Sequence, residues 1–283
     1  MNEMMTQHFK SESAKKRMST VKAVRAKPSY EDMLDSPIID LYIGPKRKKF
    51  SIHRGLLCAK SPFFANIFLN NDELSEEKED HYLPRISSEH FSIIMKWLYR
   101  GTLDTGFDKE GNKPSCAAIE VYGLAHQLGM TEMMDKVLSA LGRRYVEKRF
   151  TPNVFAIELA FELTEPLGLK DRDCGLRRWM ARWYAIMLLF PEGVSSTAGH
   201  GISEDSLADL GLRFPSLYRS VVGILRGAEG WKDVRSKFYE EKICAFHEHE
   251  VGDRSCEDAG KFWGIFRSKE AEAGWMSGGR GCI

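Results

Sequence analysis

Two short stretches near the start of the chain alternate apolar and polar residues with a period of two. Ile39, Leu41 and Ile43 form the first set. Gly44-Pro45 breaks the pattern, and Phe50 and Ile52 resume it. A period of two puts alternate side chains on one face of a strand, so the pattern predicts two strands joined by a charged turn. Leu56 and Leu57 then mark a short helix. Ser61-Pro62 starts another, because serine caps free N–H groups and proline suits the first helical position. Phe63, Phe64, Ile67 and Phe68 cover one face of it. "HYL" (81–83) reads as a short strand ended by Pro84.

The clearest helix lies in 87–103. Phe91, Ile94, Met95 and Leu98 fall at i, i+3, i+4 and i+7, Ser87 or Ser88 can cap the start, and Gly101 can end it. Residues 115–130 and 131–148 continue with helical periods, the first with Ala118, Val121, Tyr122, Ala125 and Leu128 on one face. Further helices are predicted over 151–165, 176–190 and 214–227. The polar stretches 71–80, 104–114 and 191–205 read as a loop, a turn-rich connector and a linker. "SYEDML" (29–34) can form one helical turn.

This organisation divides the chain into four parts. Residues 1–34 are a disordered basic arm. Residues 35–148 are a mixed domain, 149–230 a helical region, and 231–283 an irregular, partly disordered tail. No internal repeat is evident.

Composition narrows the classes. Of 283 residues, 43% are hydrophobic and 29% charged, as in soluble globular proteins, and the net charge of +1 does not suit a bulk polyanion binder. The longest apolar run, "WYAIMLLF" (183–190), is far short of the ~20 residues that span a bilayer. The N-terminus lacks the apolar segment of a secretory signal, and "GGRGCI" does not fit a prenylation box. A cytosolic or nuclear location is expected, and no membrane association. Six cysteines spread along the chain then read as thiols, not as a disulfide framework.

Four stretches together resemble the BTB/POZ domain: "DLYIG" (40–44), "FSIHRGLLCAKSPFF" (50–64), "FSIIMKWLYRGTL" (91–103) and "VYGLAHQLGM" (121–130). They occur in that family's order and cover about residues 36–145, two fifths of the chain. The wording is most similar to BTB-only proteins of filamentous fungi. The residues that carry the signature are Asp40, Phe50, His53, Leu57, Ser61, Phe64, Phe91, Trp97, Leu98, Tyr99 and Gly101. Gly55 and His126 stand where the family often has other residues. The resemblance implies an α+β fold, with a small mixed sheet flanked by a helical cluster and a mainly α-helical C-terminal region after it. It places His53 in the packed core near Asp40. Among protein partners it implies a homodimer, a cullin scaffold, or both, with His90, Lys96 and Arg100 on the partner surface.

The candidate chemistry is sparse. His53 and Cys58 lie five positions apart, but reactive Cys–His pairs are usually assembled from distant segments. Cys58 sits between Leu57 and Ala59, where a buried thiol is inert. "CAFHEHEVGDRSC" (244–256) carries Cys244, His247, His249 and Cys256, the right ligand types and number for tetrahedral zinc. Its spacing is not that of a standard finger and acids surround it. The simpler reading is a polar tail with two thiols, and no cofactor is assigned; zinc is the alternative. No P-loop, dinucleotide fingerprint, nucleophile elbow or His-Glu-x-x-His is present, so no enzyme is expected. Arg143-Arg144 and Arg177-Arg178 read as solvated helix faces instead of nucleic-acid contacts.

The functional expectation is therefore protein binding. The chain would be an adaptor that self-associates, recruits a client to a cullin-type ubiquitin ligase, or does both. The rival reading is a nuclear scaffold or transcription cofactor dimerising through the same domain. It is motivated by Lys15, Lys16 and Arg17 and by "PKRKK" (45–49), which otherwise reads as a solvated hairpin tip.

Overall fold

Ser29 caps one helical turn, α1 (Tyr30–Leu34), through a reciprocal pair of bonds. Its hydroxyl accepts from the Asp32 amide at 3.1 Å, and the Asp32 carboxylate accepts from the Ser29 amide at 2.9 Å. The computed structural model describes residues 28–69, 81–103, 114–148, 152–165, 173–189, 203–228, 242–249 and 256. The expectations for the arm before residue 28, the acidic loop, the 104–113 connector, most of the 191–205 linker and much of the tail fall outside these residues.

Strands β1 (Ile38–Ile43) and β2 (Lys48–His53) pair antiparallel, with Leu41 opposite Phe50 and Asp40 opposite Ser51. Strand β3 (His81–Leu83) joins β1 in parallel, giving the mixed order β2-β1-β3. Leu41, Ile43 and Ile52 are fully buried on the inner face. Each such side chain contributes about 1.5–3 kcal/mol relative to exposure. The turn between β1 and β2 spans Gly44 to Arg47, closed by the Arg47 amide donating to the Gly44 carbonyl at 3.0 Å.

Helices α2 (Arg54–Lys60) and α3 (Pro62–Leu69) follow without a loop. Ser61 sits between them, fully buried. Its hydroxyl donates to the Leu128 carbonyl at 2.6 Å and accepts from the Phe64 amide at 3.4 Å, so one side chain caps α3 and fastens it to a distant segment. Gly55 has a packing reason. A β-carbon there would lie 2.9 Å from the Ser36 hydroxyl and 3.0 Å from the Met33 carbonyl, and the Gly55 amide donates to that hydroxyl at 2.7 Å. The small loss of helix propensity admits α1 onto α2.

Helix α4 (Ser88–Arg100) is capped by Ser87 and ended by Gly101 in the left-handed region at φ 67. Helix α5 (Pro114–Gln127) packs on it, and α6 (Thr131–Lys148) packs on α5. Helix α7 (Val154–Leu163) crosses α5 at Gly123. Helices α8 (Gly175–Leu189), α9 (Glu204–Arg213) and α10 (Pro215–Arg226) complete the described helices. The buried side chains of the sheet, α2 to α6 and α7 to α10 belong to one hydrophobic cluster.

Helix α9 begins within the stretch where the sequence predicts a linker, and its own period is not evident there. Only Leu207 and Leu210 are buried along it, too short a stripe to reveal a period. The expectation that Arg177-Arg178 is a solvated face is corrected. Arg177 is 2% exposed. Its guanidinium donates to the carbonyls of Phe161 and Thr164, each at 3.0 Å, and to the Ser216 hydroxyl at 2.6 Å, while Nε lies 3.2 Å from Asp173. A buried charge persists where several acceptors surround it, here the end of α7 and the start of α10.

Within the stretch read as irregular tail, Ile243–Phe246 form a 3-10 turn. Ile243, Cys244 and Phe246 are buried between α6 and α8. A four-residue apolar run carries no readable period, so its burial was not legible in the sequence.

Candidate functional site

Four donor atoms converge where this turn meets α6. The Nδ1 of His247 lies 3.1 Å from Nε2 of His249 and 3.4 Å from the Cys256 sulfur; the Cys244 sulfur lies 3.5 Å from Nε2 of His249. One ligand atom from each of the four residues falls within 4.8 Å of every other. The 3-10 turn carries Cys244, and the bend after it carries His247 and His249. Cys244 and His247 are buried, while His249 and Cys256 are half-buried.

Helix α6 supplies the surrounding polar groups. Ser139, 2% exposed, places its hydroxyl 2.8 Å from the outer nitrogen, Nε2, of His247. Asp135, one turn earlier, accepts from the Glu248 amide at 2.6 Å and approaches His249 Nε2 at 3.9 Å. Burial pushes the Asp135 carboxyl up to about 6. The Glu248 carboxylate accepts from the Tyr122 hydroxyl at 2.9 Å and from the amide of Gly175, the first residue of α8. It thus satisfies a donor that the helix itself leaves free. Arg178 donates to the His247 carbonyl at 3.1 Å. Asp135, Ser139, Gly175 and Glu248 were not singled out in the sequence, and Arg178 was expected there on a solvated helix face. The available signal was polar Asp135 and Ser139 at i and i+4 beside the apolar Met134 and Leu138 of α6.

The His53–Cys58 pair is not brought together. His53 Nδ1 lies 2.9 Å from the Tyr99 hydroxyl, whereas the Cys58 thiol faces the Phe64 carbonyl at 3.8 Å. Burial pushes the Cys58 thiol up from its ordinary value, which disfavours the thiolate. Asp40 lies on the same sheet face as His53, where it accepts from the Ser51 hydroxyl at 2.6 Å and pairs with Lys49 at 2.7 Å. His53 and Tyr99 are half-buried, as is Phe50, whose ring meets Phe91 edge-on at 5.0 Å. Leu57, Ser61, Phe64, Phe91, Trp97 and Leu98 are buried.

On the other side of α4, Lys96 and Arg100 are exposed. His90 departs from the expectation of an exposed partner residue. Its side chain is 21% exposed and lies 3.3 Å from Glu120 of α5, so it links two helices of the same chain. Three of the four "PKRKK" basics are engaged with the sheet: Arg47 stacks on Tyr42 and Tyr82, Lys48 lies over Phe50, and Lys49 pairs with Asp40.

The mixed three-stranded sheet, the two short helices pinned by Ser61, and the helical cluster α4 to α6 occupy one continuous segment. Over that segment a comparison with protein-family models finds a match. The model of the BTB/POZ domain, a protein–protein interaction module, aligns with residues 30–144, from the start of α1 into α6. Those residues, about two fifths of the chain, are a BTB/POZ domain to whose core the C-terminal helices are joined.

Proposed function

We propose that the protein is an adaptor that binds other proteins through its BTB/POZ domain, by self-association, by docking a cullin-type scaffold, or both. The C-terminal helices would hold a client. The observation that carries this reading is the division of α4. One side, Phe91, Ile94, Trp97 and Leu98, is spent on the core, while Lys96 and Arg100 project outward on the surface that the family resemblance assigns to a scaffold. Two exposed cations on a rigid helix suit an acidic partner surface and would set association rate and specificity more than total affinity.

A pull-down with a cullin N-terminal domain tests the reading, comparing the unaltered chain with Lys96→Glu/Arg100→Glu. Retention by the first and loss by the second supports scaffold docking. No retention by either rejects it, and a solution mass of one chain rejects self-association. The nuclear scaffold reading draws support from Lys15, Lys16 and Arg17, and deletion of residues 1–30 with loss of nuclear signal would favour it.

A further inference from the structure

We infer that Cys244, His247, His249 and Cys256 bind a single structural zinc ion. This ion would bolt the tail into the seam between the BTB/POZ domain and the C-terminal helices. The distances carry the inference. Bonds of about 2.3 Å to sulfur and about 2.0–2.1 Å to nitrogen, at tetrahedral angles, separate two nitrogens by about 3.3 Å and a nitrogen from a sulfur by about 3.6 Å. The corresponding separations here are 3.1 Å for the nitrogens, and 3.4 and 3.5 Å for the two nitrogen–sulfur pairs. Three edges of the donor set therefore have the dimensions of a zinc tetrahedron.

A purely hydrogen-bonded cluster fits less well. The Nδ1 of His247 is approached by both His249 and Cys256, and Nε2 of His249 by both His247 and Cys244. A ring nitrogen takes part in one such bond at a time, as donor or as acceptor, whereas a cation between the atoms satisfies every approach at once. Two thiolates and two neutral imidazoles also cancel the charge of a divalent zinc.

The surroundings match. Ser139 lies 2.8 Å from Nε2 of His247, so that nitrogen can keep its proton and donate to the hydroxyl while Nδ1 offers its lone pair to the ion. Four protein ligands leave no open position, so the ion would be structural. Its ligands are tied to α6 through Ser139 and Asp135, and to α8 through Arg178 and Glu248. Metal binding would therefore be coupled to how the C-terminal helices are held against the BTB/POZ domain.

The test uses the full chain purified without chelator. Elemental analysis should find one zinc per folded chain, and the Cys244→Ser/Cys256→Ser variant should lose it. Cobalt titration of the zinc-stripped, unaltered chain provides a check that does not depend on a variant folding. The expected spectrum has intense visible bands of a tetrahedral site and a near-ultraviolet thiolate-to-cobalt band. Ser139→Ala should keep that spectrum and weaken affinity about 10- to 100-fold. Substoichiometric zinc with weak, octahedral-type cobalt bands overturns the inference, as does full zinc retention by the double serine variant. Neither outcome touches the cullin pull-down, so the two proposals fail separately.

Discussion

The backbone of Phe246 passes so close to Gly175 that a β-carbon on Gly175 would overlap the Phe246 carbonyl oxygen and lie 2.8 Å from its carbonyl carbon. This contact seats the 3-10 turn on the first residue of α8, and only the residue without a side chain permits it. Backbone cannot swing aside as a flexible side chain can. Gly175→Ala should therefore cost on the order of 3 kcal/mol. Gly223→Ala is the matched comparison, since nothing lies within 4 Å of a β-carbon there in α10. It should stabilise by about 0.5–1 kcal/mol through helix propensity. Urea unfolding of both variants checks the pair. Equal effects would show that the turn does not press on α8.

Phe63 and Phe64 are adjacent, yet the fold treats them differently. Phe64 is 1% exposed and stacks on Phe68, while Phe63 is 36% exposed. Phe64→Ala should cost about 3–5 kcal/mol and Phe63→Ala distinctly less. Thermal or urea denaturation of the two variants reads the difference, and equal losses would contradict the burial pattern.

Arg177 holds three helices through one guanidinium. Arg177→Ala leaves the Phe161 and Thr164 carbonyls without their donor and the Asp173 carboxylate without its ion-pair partner. The expected loss is on the order of 3 kcal/mol, read as a lowered urea midpoint. Arg219→Ala, at an exposed position of α10, should change stability by no more than about 0.5 kcal/mol.

The Cys58 thiol should be a poor nucleophile. Its burial raises the pKa and its sulfur faces a carbonyl, so alkylation near neutral pH should be slower in the folded chain than in denaturant. Peptide mass spectrometry after timed iodoacetamide treatment measures this. Equal rates would reinstate it as a reactive thiol. Cys58→Ala should leave partner binding unchanged.

How much was legible follows from the range of each signal. Strand alternation at Ile39, Leu41 and Ile43, the α4 stripe from Phe91 to Leu98, and the Ser61-Pro62 helix start are local patterns. Each is dictated by one backbone period or one cap, so the element order through α6 could be read directly from the chain. The four zinc-type ligands were also legible as residue types, because a ligand set is recognised by its members. Their convergence was not legible. It depends on Gly175 admitting the Phe246 backbone, on Ser139 facing His247, and on Glu248 capping a helix begun 73 residues earlier. Arg177 was misread for the same reason. A charged residue on a helix is solvated unless another helix end covers it, and the sequence does not say which ends meet. Local periodicity determined the elements, and four sequence motifs carried the family resemblance. Packing between segments far apart in the chain decided which polar residues are buried, and so where the tail and its donor cluster sit.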